Sequence, residues 1–249
     1  MIVGVIPARY AATRLPGKPL VDLCGQTMIE RVWRAAASCD RLDRVIIATD
    51  SELIAYEAER IGAEVVLTDP DLPSGTDRCY AVVERLEVEP EIVINIQGDE
   101  PLLQPIVLTQ LIDALASSAA DVATPVTRIS ELSDIADANV VKVAMGANNR
   151  AVYFSRSPIP HLRSVAIEHW LDHQAYWKHI GVYAYRVGAL RQHIALPVSP
   201  LERSESLEQL RLLEHGTRFV AVETDVHFIS VDTPEDAERV RAHIAQHPL

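Results

Sequence analysis

The first half of the chain alternates short apolar runs with segments of helical periodicity, and this alternation limits the folds that the chain can adopt. Runs of strand length lie at 2–8, 44–49, 64–67, 91–96 and 121–126, and stretches with helix-start signals or helical periodicity separate them. Strands that alternate with helices of about ten residues form right-handed βαβ units and a mainly parallel sheet. We therefore predict an α/β fold with helices on both faces of a mainly parallel central sheet.

The segment from about 139 to 190 breaks this alternation. Strand-like runs lie at 140–145, 151–155 and 180–186, and no helical pattern separates the first two. We expect a small antiparallel insertion at about 139–190 within a single domain that spans 1–249.

The remaining parts of the sequence give weaker patterns. The proline- and histidine-containing stretch 157–178 predicts a long loop or a broken helix, and its role stays open. Further on, we expect a helix at 204–213, a short apolar strand at 228–231, and a last helix that Thr233 caps.

Composition and charge exclude two classes of partner. A formal net charge of −12 disfavours nucleic acid and anionic membrane surfaces, because both require a basic patch. No apolar run approaches the roughly 18 residues of a membrane span, and residues 1–6 carry no basic leader pattern. We expect a cytoplasmic protein with small-molecule substrates. Cys24, Cys39 and Cys79 form no C-x-x-C pair and are predicted to be buried thiols.

A basic loop follows the first predicted strand. Arg9, Arg14 and Lys18 lie within ten residues of one another, together with two prolines and a glycine. Three cations at the carboxyl end of a strand suit charge-assisted hydrogen bonds to a triphosphate, although a merely solvated loop is the alternative. The loop has neither the order of a Walker A motif nor a G-x-G-x-x-G dinucleotide fingerprint. We predict a phosphate-binding loop of another kind.

Two aspartates are candidates for a metal site. Asp99 follows Gln97 and Gly98 at the end of the fourth predicted strand, where ligands of such sheets bind. Asp232 follows another predicted strand and could approach Asp99 from the opposite side; the alternative is that it only caps the last helix. Two carboxylates suit Mg²⁺ held together with substrate phosphates.

The basic loop at 9–18 resembles the signature of sugar-activating nucleotidyltransferases, and most closely that of the 3-deoxy-manno-octulosonate (Kdo) cytidylyltransferase family, the CMP-Kdo synthetases. The resemblance covers essentially the whole chain, and further matching motifs lie at 48–50, 74–78, 95–101, 153–156, 179–183, 207–211 and 231–236. One departure is Ala12, at a position that the family often fills with serine, where a side-chain contact to phosphate would be lost.

The resemblance implies a Rossmann-like nucleotidyltransferase fold and the transfer of CMP from CTP to Kdo for lipopolysaccharide biosynthesis. It also implies a homodimer, and a sugar-binding or dimerisation role for the insertion at about 139–190. Asp99 and Asp232 would hold Mg²⁺. The implied CTP-binding residues are Arg9, Arg14, Lys18, Ser74, Arg78 and Gln97. The implied sugar-binding residues are Gln97, Arg156, His179, Tyr183, Glu208 and Gln209.

Several alternatives stay open at this point. The sugar could be 8-amino-Kdo or sialic acid, although sialate enzymes usually carry a lysine-rich variant of the basic loop. A non-catalytic nucleotide-binding regulator is a hypothesis from a different functional class, since a fold alone does not prove a function. A zinc site at His161, His169 and His173 is disfavoured, because no acidic or cysteine ligand completes a known spacing.

Overall fold

The chain divides into two compact units in the computed structural model, which describes residues 1–11 and 14–247. The first unit comprises residues 1–109 and 226–249, and the second comprises residues 110–225. The predicted insertion at about 139–190 lies wholly inside the second unit, which begins earlier and ends later. Ala12 lies outside the described residues, so its predicted loss of a phosphate contact stays a prediction.

The first unit is built on a parallel sheet. Its strands follow the order β4-β1-β2-β3, and each pairs in parallel with its neighbour. The division between the units falls within α4. The elements, in chain order, are β1 Ile2–Ala8, α1 Met28–Ala37, β2 Arg44–Thr49, α2 Glu52–Arg60, β3 Glu64–Leu67, α3 Gly75–Val83, β4 Ile92–Asn95 and α4 Pro105–Ala116.

The second unit contains a mixed sheet centred on β5. This strand pairs in parallel with β10 and antiparallel with β8 and β9, while β6 and β7 form an antiparallel pair. Its elements are β5 Val122–Arg128, α5 Leu132–Ala136, β6 Lys142–Met145, β7 Arg150–Ser155, α6 Trp170–His173, β8 Trp177–His179, β9 Tyr183–Arg186, α7 Val187–Ala195, α8 Pro200–Glu205, α9 Gln209–Glu214 and β10 Phe219–Glu223. The chain then returns to the first unit with α10, Pro234–Gln246.

Local sequence signals fix several of these element ends. The Thr27 side chain accepts from the backbone N–H of Glu30 at the start of α1, and satisfies a donor that the helix leaves open. Thr233 and Asp236 form a reciprocal capping box at the start of α10, which confirms the predicted cap. Apolar residues of α10, including Val240, pack with Met28 of α1 in one buried cluster.

Three expectations were wrong in detail, and one strand was missed. The helix predicted at 204–213 is two helices, α8 and α9, because Ser206 adopts a left-handed conformation with φ 53° between them. Residues 228–231 form no strand among the described residues; the Val231 N–H donates to the Asp99 carbonyl at 2.9 Å. β10 was not predicted at all. Cys24 is exposed, whereas Cys39 and Cys79 are buried as expected.

The stretch 157–178 contains only short helical pieces, a 3-10 turn at Ile167–His169 and the four residues of α6, before β8 begins. This agrees with the broken helix that the sequence predicted. Within the described part of the chain, no helix is both long and apolar enough to cross a membrane.

Candidate active site

Two strand ends of the first unit meet at the predicted phosphate loop. The loop leaves β1 after Ala8, and β4 continues into Gln97, Gly98 and Asp99. A Cβ atom on Gly98 would lie 3.0 Å from the Pro7 carbonyl oxygen, tighter than an ordinary contact, so a side chain at this position would push the two backbones apart. Asp99, the residue after Gly98, contacts Lys18 at the end of the basic loop.

The ammonium group of Lys18 joins the two candidate metal ligands. Its Nζ donates to Asp99 Oδ2 at 2.9 Å and to Asp232 Oδ1 at 3.0 Å. Arg14 Nη2 lies 3.0 Å from the other oxygen of Asp232. Two carboxylates that are 133 residues apart in the sequence therefore converge on one cation of the N-terminal loop.

The electrostatics of this cluster favour the charged form of Lys18. Burial lowers the pKa of Lys18, but hydrogen bonds and Coulombic attraction from Asp99 and Asp232 outweigh that effect, so the pKa is raised above 10.5. The Lys18 side chain is only 17% exposed, whereas that of Arg14 is 68% exposed. Lys18 is thus a fixed, largely desolvated positive charge, and Arg14 is a solvated one.

The oxygen atoms of Asp99 and Asp232 suit a divalent cation such as Mg²⁺, which prefers carboxylate and phosphate oxygen. Among the described residues, no group of three or more His, Cys, Asp or Glu side chains is placed to hold a metal ion. Two carboxylates without further protein ligands fit an ion whose remaining ligands are substrate phosphates and water. The donor set is therefore compatible with Mg²⁺.

The alternative role for Asp232, capping of the last helix, belongs to a neighbouring residue. Asp236 Oδ2 accepts from the backbone N–H groups of Asp232 and Thr233, at 3.1 and 3.0 Å. The carboxylate of Asp232 instead contacts Lys18 and Arg14.

Of three other side chains predicted to contact CTP, two have hydrogen-bond partners within the protein and one is exposed. Ser74 caps α3, and its hydroxyl donates to Asp77 Oδ2 at 2.6 Å. Gln97 Nε2 donates to Asn95 Oδ1 at 3.0 Å. Arg9 is exposed, and no ion pair joins its guanidinium to the described residues.

Among the predicted CTP-binding residues, Arg78 has the most protein contacts for its side chain. It is 3% exposed, and its guanidinium contacts Asp50 (3.0 Å), the hydroxyl of Thr68 and the carbonyl of Asp69 (3.3 Å). Its contacts are therefore those of a buried structural arginine.

In the second unit, His179 and Tyr183 lie side by side. Their ring centroids are 5.3 Å apart, and Phe154 packs edge-to-face with His179 at a centroid distance of 5.1 Å. Although His179 keeps some exposed surface, its dense surroundings lower its pKa to about 3 by desolvation. Burial, and then the charge of Glu208, raises the pKa of Tyr183 well above 10. Both rings are therefore uncharged at neutral pH.

Thr124, which the sequence did not single out, contacts His179 and favours one tautomer of its ring. The Thr124 hydroxyl lies 2.9 and 3.2 Å from the carbonyl oxygens of Val182 and Ile180, and 3.0 Å from His179 Nε2. When the single hydroxyl proton of Thr124 goes to one of these carbonyls, which can only accept, the Nε2–H of His179 donates to Thr124. Nδ1 of His179 is then the ring nitrogen that can accept a hydrogen bond.

Arg156 is held by backbone oxygen atoms. Its guanidinium donates to the carbonyls of Glu205 (2.7 Å), Ala138 (2.9 Å) and Ser206 (3.3 Å). The Glu205 carboxylate also accepts from Ser155 Oγ and from the Arg156 backbone N–H, at 2.6 and 2.9 Å. Only part of the five-donor capacity of Arg156 therefore remains for a ligand.

The other two predicted sugar-binding residues lie at the start of α9. Glu208 is exposed, with one carboxylate oxygen 3.9 Å from His193 Nε2. Gln209 is 5% exposed, and its Nε2 has no hydrogen-bond partner among the described residues. A buried amide without a partner is costly, so Gln209 is the sugar-site candidate with the clearest need of a ligand.

A parallel α/β sheet with a part-buried ammonium and two carboxylates gathered beyond the end of β4 suits a protein that binds nucleotide phosphates. Comparison with known proteins makes this assignment specific. The chain belongs to the cytidylyltransferase family, whose sequence profile matches residues 3–219.

Several relatives are similar over almost their whole length. The 3-deoxy-manno-octulosonate cytidylyltransferase of Chromohalobacter salexigens is 47% identical over 254 residues, which cover 98% of this chain and 97% of that protein. The protein of the same name from Cytophaga hutchinsonii is 43% identical over 240 residues, 96% of each chain. The structure of CMP:2-keto-3-deoxy-manno-octonic acid synthetase complexed with CTP matches with a TM-score of 0.90, 39% identity and 98% coverage of both chains.

A more distant solved structure shares the fold alone. It is 4-diphosphocytidyl-2C-methyl-D-erythritol synthase from Anaerococcus prevotii, at a TM-score of 0.65 and 12% identity. The predicted α/β nucleotidyltransferase fold and the family resemblance are confirmed. The roles of individual site residues stay predictions.

Proposed function

We propose that this chain transfers CMP from CTP to Kdo, and releases CMP-Kdo and pyrophosphate for lipopolysaccharide biosynthesis. The observation that carries the proposal is the ammonium of Lys18 shared by Asp99 and Asp232, in a chain of the cytidylyltransferase family. The names of the relatives supply the acceptor sugar.

In this reaction a sugar hydroxyl oxygen forms a bond to the α-phosphorus of CTP. The bond between the α-phosphorus and the bridging oxygen breaks, pyrophosphate leaves with the electron pair, and the hydroxyl proton passes to solvent. Negative charge grows on the phosphoryl oxygens and on the leaving group. Catalysis of such a step rests on positioning and electrostatic stabilisation, with no covalent intermediate on the protein.

The cations of the basic loop supply that stabilisation from the protein side. Lys18 is already charged, oriented and largely desolvated, so its field acts through a medium of lower effective dielectric than water. Arg14 and Arg9 are exposed and can turn towards the triphosphate tail. Asp99 and Asp232 would hold Mg²⁺, which when bound neutralises charge on the triphosphate and on the departing pyrophosphate.

The acidic sugar requires donors and acceptors from the second unit. His179, neutral and with Nδ1 able to accept, suits a sugar hydroxyl. The buried Nε2 of Gln209 is a donor for a second oxygen, and Tyr183 and Glu208 lie close to this group. The N–H groups of the Arg156 guanidinium that do not donate to backbone carbonyls suit the sugar carboxylate.

Two further properties belong to the proposal. We expect a homodimer, by analogy with the family, with a solution mass twice the 27.5 kDa of the chain, which sedimentation equilibrium measures directly. We also expect a cytoplasmic enzyme, because CTP is an intracellular nucleotide.

The proposal is tested by pyrophosphate release from purified protein. The assay combines CTP, UTP or ATP with Kdo, 8-amino-Kdo or sialic acid, in the presence of Mg²⁺. We expect turnover with CTP and Kdo, and a much lower kcat/KM with the other bases and with sialic acid. A preference for 8-amino-Kdo would change the acceptor. CTP binding without turnover on any sugar would favour a regulator.

A second assay tests the two aspartates. Asp99→Asn and Asp232→Asn should each reduce Mg²⁺-dependent pyrophosphate release by at least about a hundredfold, because each removes a ligand charge from the site. Asp225→Asn is the matched control, since Asp225 is exposed and belongs to the second unit. Wild-type turnover in either site variant would remove the metal assignment.

A further inference from the structure

Asp50 follows β2 in the Ala48-Thr49-Asp50 motif, and the proposed reaction gives it no role. Its two carboxylate oxygens have different partners. Oδ2 accepts from Arg78 Nη2 at 3.0 Å, and Oδ1 accepts from the backbone N–H of Tyr10 at 3.3 Å. The Asp50 side chain is only 13% exposed. Asp50 therefore links a buried arginine to the backbone of the phosphate loop.

Arg78 orients the Asp50 carboxylate. Besides the ion pair with Asp50, its guanidinium donates to the Thr68 hydroxyl and to the Asp69 carbonyl. Three acceptors on a buried, planar guanidinium leave it little freedom to turn. The carboxylate that faces Tyr10 consequently has a fixed position.

Tyr10 in turn forms the base of the phosphate loop. Its carbonyl accepts from the backbone N–H of Gly17 at 3.2 Å, which closes the loop. Gly17 has φ +68°, and its Cα faces the Tyr10 ring, which would be 3.4 Å from a Cβ atom at this position. Lys18, the next residue, begins a 3-10 turn. Through these contacts, the position of Tyr10 determines the backbone position of Lys18.

We propose that Asp50 is a positioning residue. Through its contact with Tyr10 it fixes the position of the phosphate-loop backbone, and so places the Lys18 ammonium for the triphosphate of CTP. The effect on CTP rests on the proposed function; the contact with Tyr10 does not. An asparagine has one carboxamide oxygen, so it cannot accept from both Arg78 and Tyr10 through separate oxygens. The charged donor takes that oxygen, and the –NH₂ group then faces the Tyr10 N–H.

The test is the kinetics of Asp50→Asn with Thr68→Val as the matched control. We expect Asp50→Asn to raise KM for CTP about tenfold, which corresponds to about 1.4 kcal/mol of binding free energy, with KM for Kdo within about twofold of wild type. Thr68→Val removes the hydroxyl contacts of Thr68 with Arg78 and with the Thr49 carbonyl. The Asp69 carbonyl and the ion pair with Asp50 still hold the guanidinium. The backbone hydrogen bond from Thr68 to Thr49 also remains, so the contact of Asp50 with Tyr10 is expected to persist. Thr68→Val should lower the unfolding midpoint and leave KM for CTP within about twofold of wild type.

An unchanged KM for CTP in Asp50→Asn, or an equal rise in Thr68→Val, would overturn the proposal and leave Asp50 as a counter-ion for Arg78 only. Amide hydrogen exchange of the nucleotide-free wild-type protein provides a measurement that needs no variant. The Tyr10 amide should exchange at least about tenfold more slowly than an unprotected amide. Exchange at the unprotected rate would also overturn the proposal, whereas a wild-type protein that fails to turn over CTP would refute only the proposed function.

Discussion

Replacing Lys18 by methionine removes the positive charge that Asp99 and Asp232 share, while a side chain of similar length keeps the packing. The contact with Asp99 is the larger loss, because both side chains are mostly buried, at 17% and 28% exposure. A hydrogen bond to a charged group contributes about 1.5–3 kcal/mol. The contact with Asp232, 42% exposed, contributes less, on the order of 0.5 kcal/mol after solvent screening.

The variant also leaves the two carboxylates facing each other. Both oxygens contact one nitrogen, so they lie within about 6 Å of each other, and their repulsion costs on the order of 1 kcal/mol in a partly solvated site. Relief of the ammonium's own desolvation offsets part of these losses. We expect Lys18→Met to lower the free energy of unfolding by about 2–3 kcal/mol at pH 7 in metal-free buffer, and the thermal midpoint by about 4–8 °C.

Urea denaturation of wild type, Lys18→Met and Arg14→Met measures this effect. Arg14→Met is the graded control, because its exposed pair with Asp232 should contribute less than about 1 kcal/mol. The raised pKa of Lys18 means that its contribution is present below pH 10.5 and is lost as the pH rises through the raised value. Equal stability of Lys18→Met and wild type at pH 7, or a larger loss in Arg14→Met, would refute the reasoning.

Three further predictions concern His179, Gly98 and Gln209. The pKa of His179 is lowered from 6.5 to about 3, so between these pH values the unfolded chain binds a proton at His179 and the folded chain does not. The free energy of unfolding of wild type, relative to that of His179→Gln, should therefore fall by about 1.4 kcal/mol per pH unit as the pH falls from 6.5 towards 3. Denaturation curves measured across that pH range test this. Gly98→Ala should cost about 1–3 kcal/mol, because its Cβ would crowd the Pro7 carbonyl, whereas Gly188→Ala, in α7 with open space around it, should gain about 0.5–1 kcal/mol. Gln209→Leu removes a buried donor without a partner among the described residues and should be at least as stable as wild type, but should raise KM for Kdo about tenfold or more if that donor binds the sugar.

The parts of the fold that the sequence predicts well are those with local causes. The bounds of β1, β2 and β3 match the predicted runs. For β1 and β2 the reason is that a central strand of a parallel sheet is largely buried on both faces and shows a continuous apolar pattern. The start of α10 follows from the Thr233 cap. Asp99 and Asp232 could be paired from their positions after apolar segments, and both do contact Lys18.

The missed features depend on contacts that are distant in the sequence. β10 exists because it pairs with β5, about a hundred residues earlier, and its own pattern is short and ambiguous. Thr124 and Asp50 gain their roles from partners 28 to 58 residues away. The commitment of Arg156 to three backbone carbonyls also could not be predicted, because a sequence does not show which main-chain oxygens will lack a partner.

The account depends most on a divalent ion held by Asp99 and Asp232 beside Lys18, and a crystal structure of the protein with CTP and Mg²⁺ tests this most directly. The predicted result is an ion at about 2.1 Å from an oxygen of each aspartate and from phosphate oxygens of CTP, with Lys18 Nζ within hydrogen-bond distance of the triphosphate. An ion bound by phosphates alone, with both carboxylates still paired to Lys18, would contradict the account.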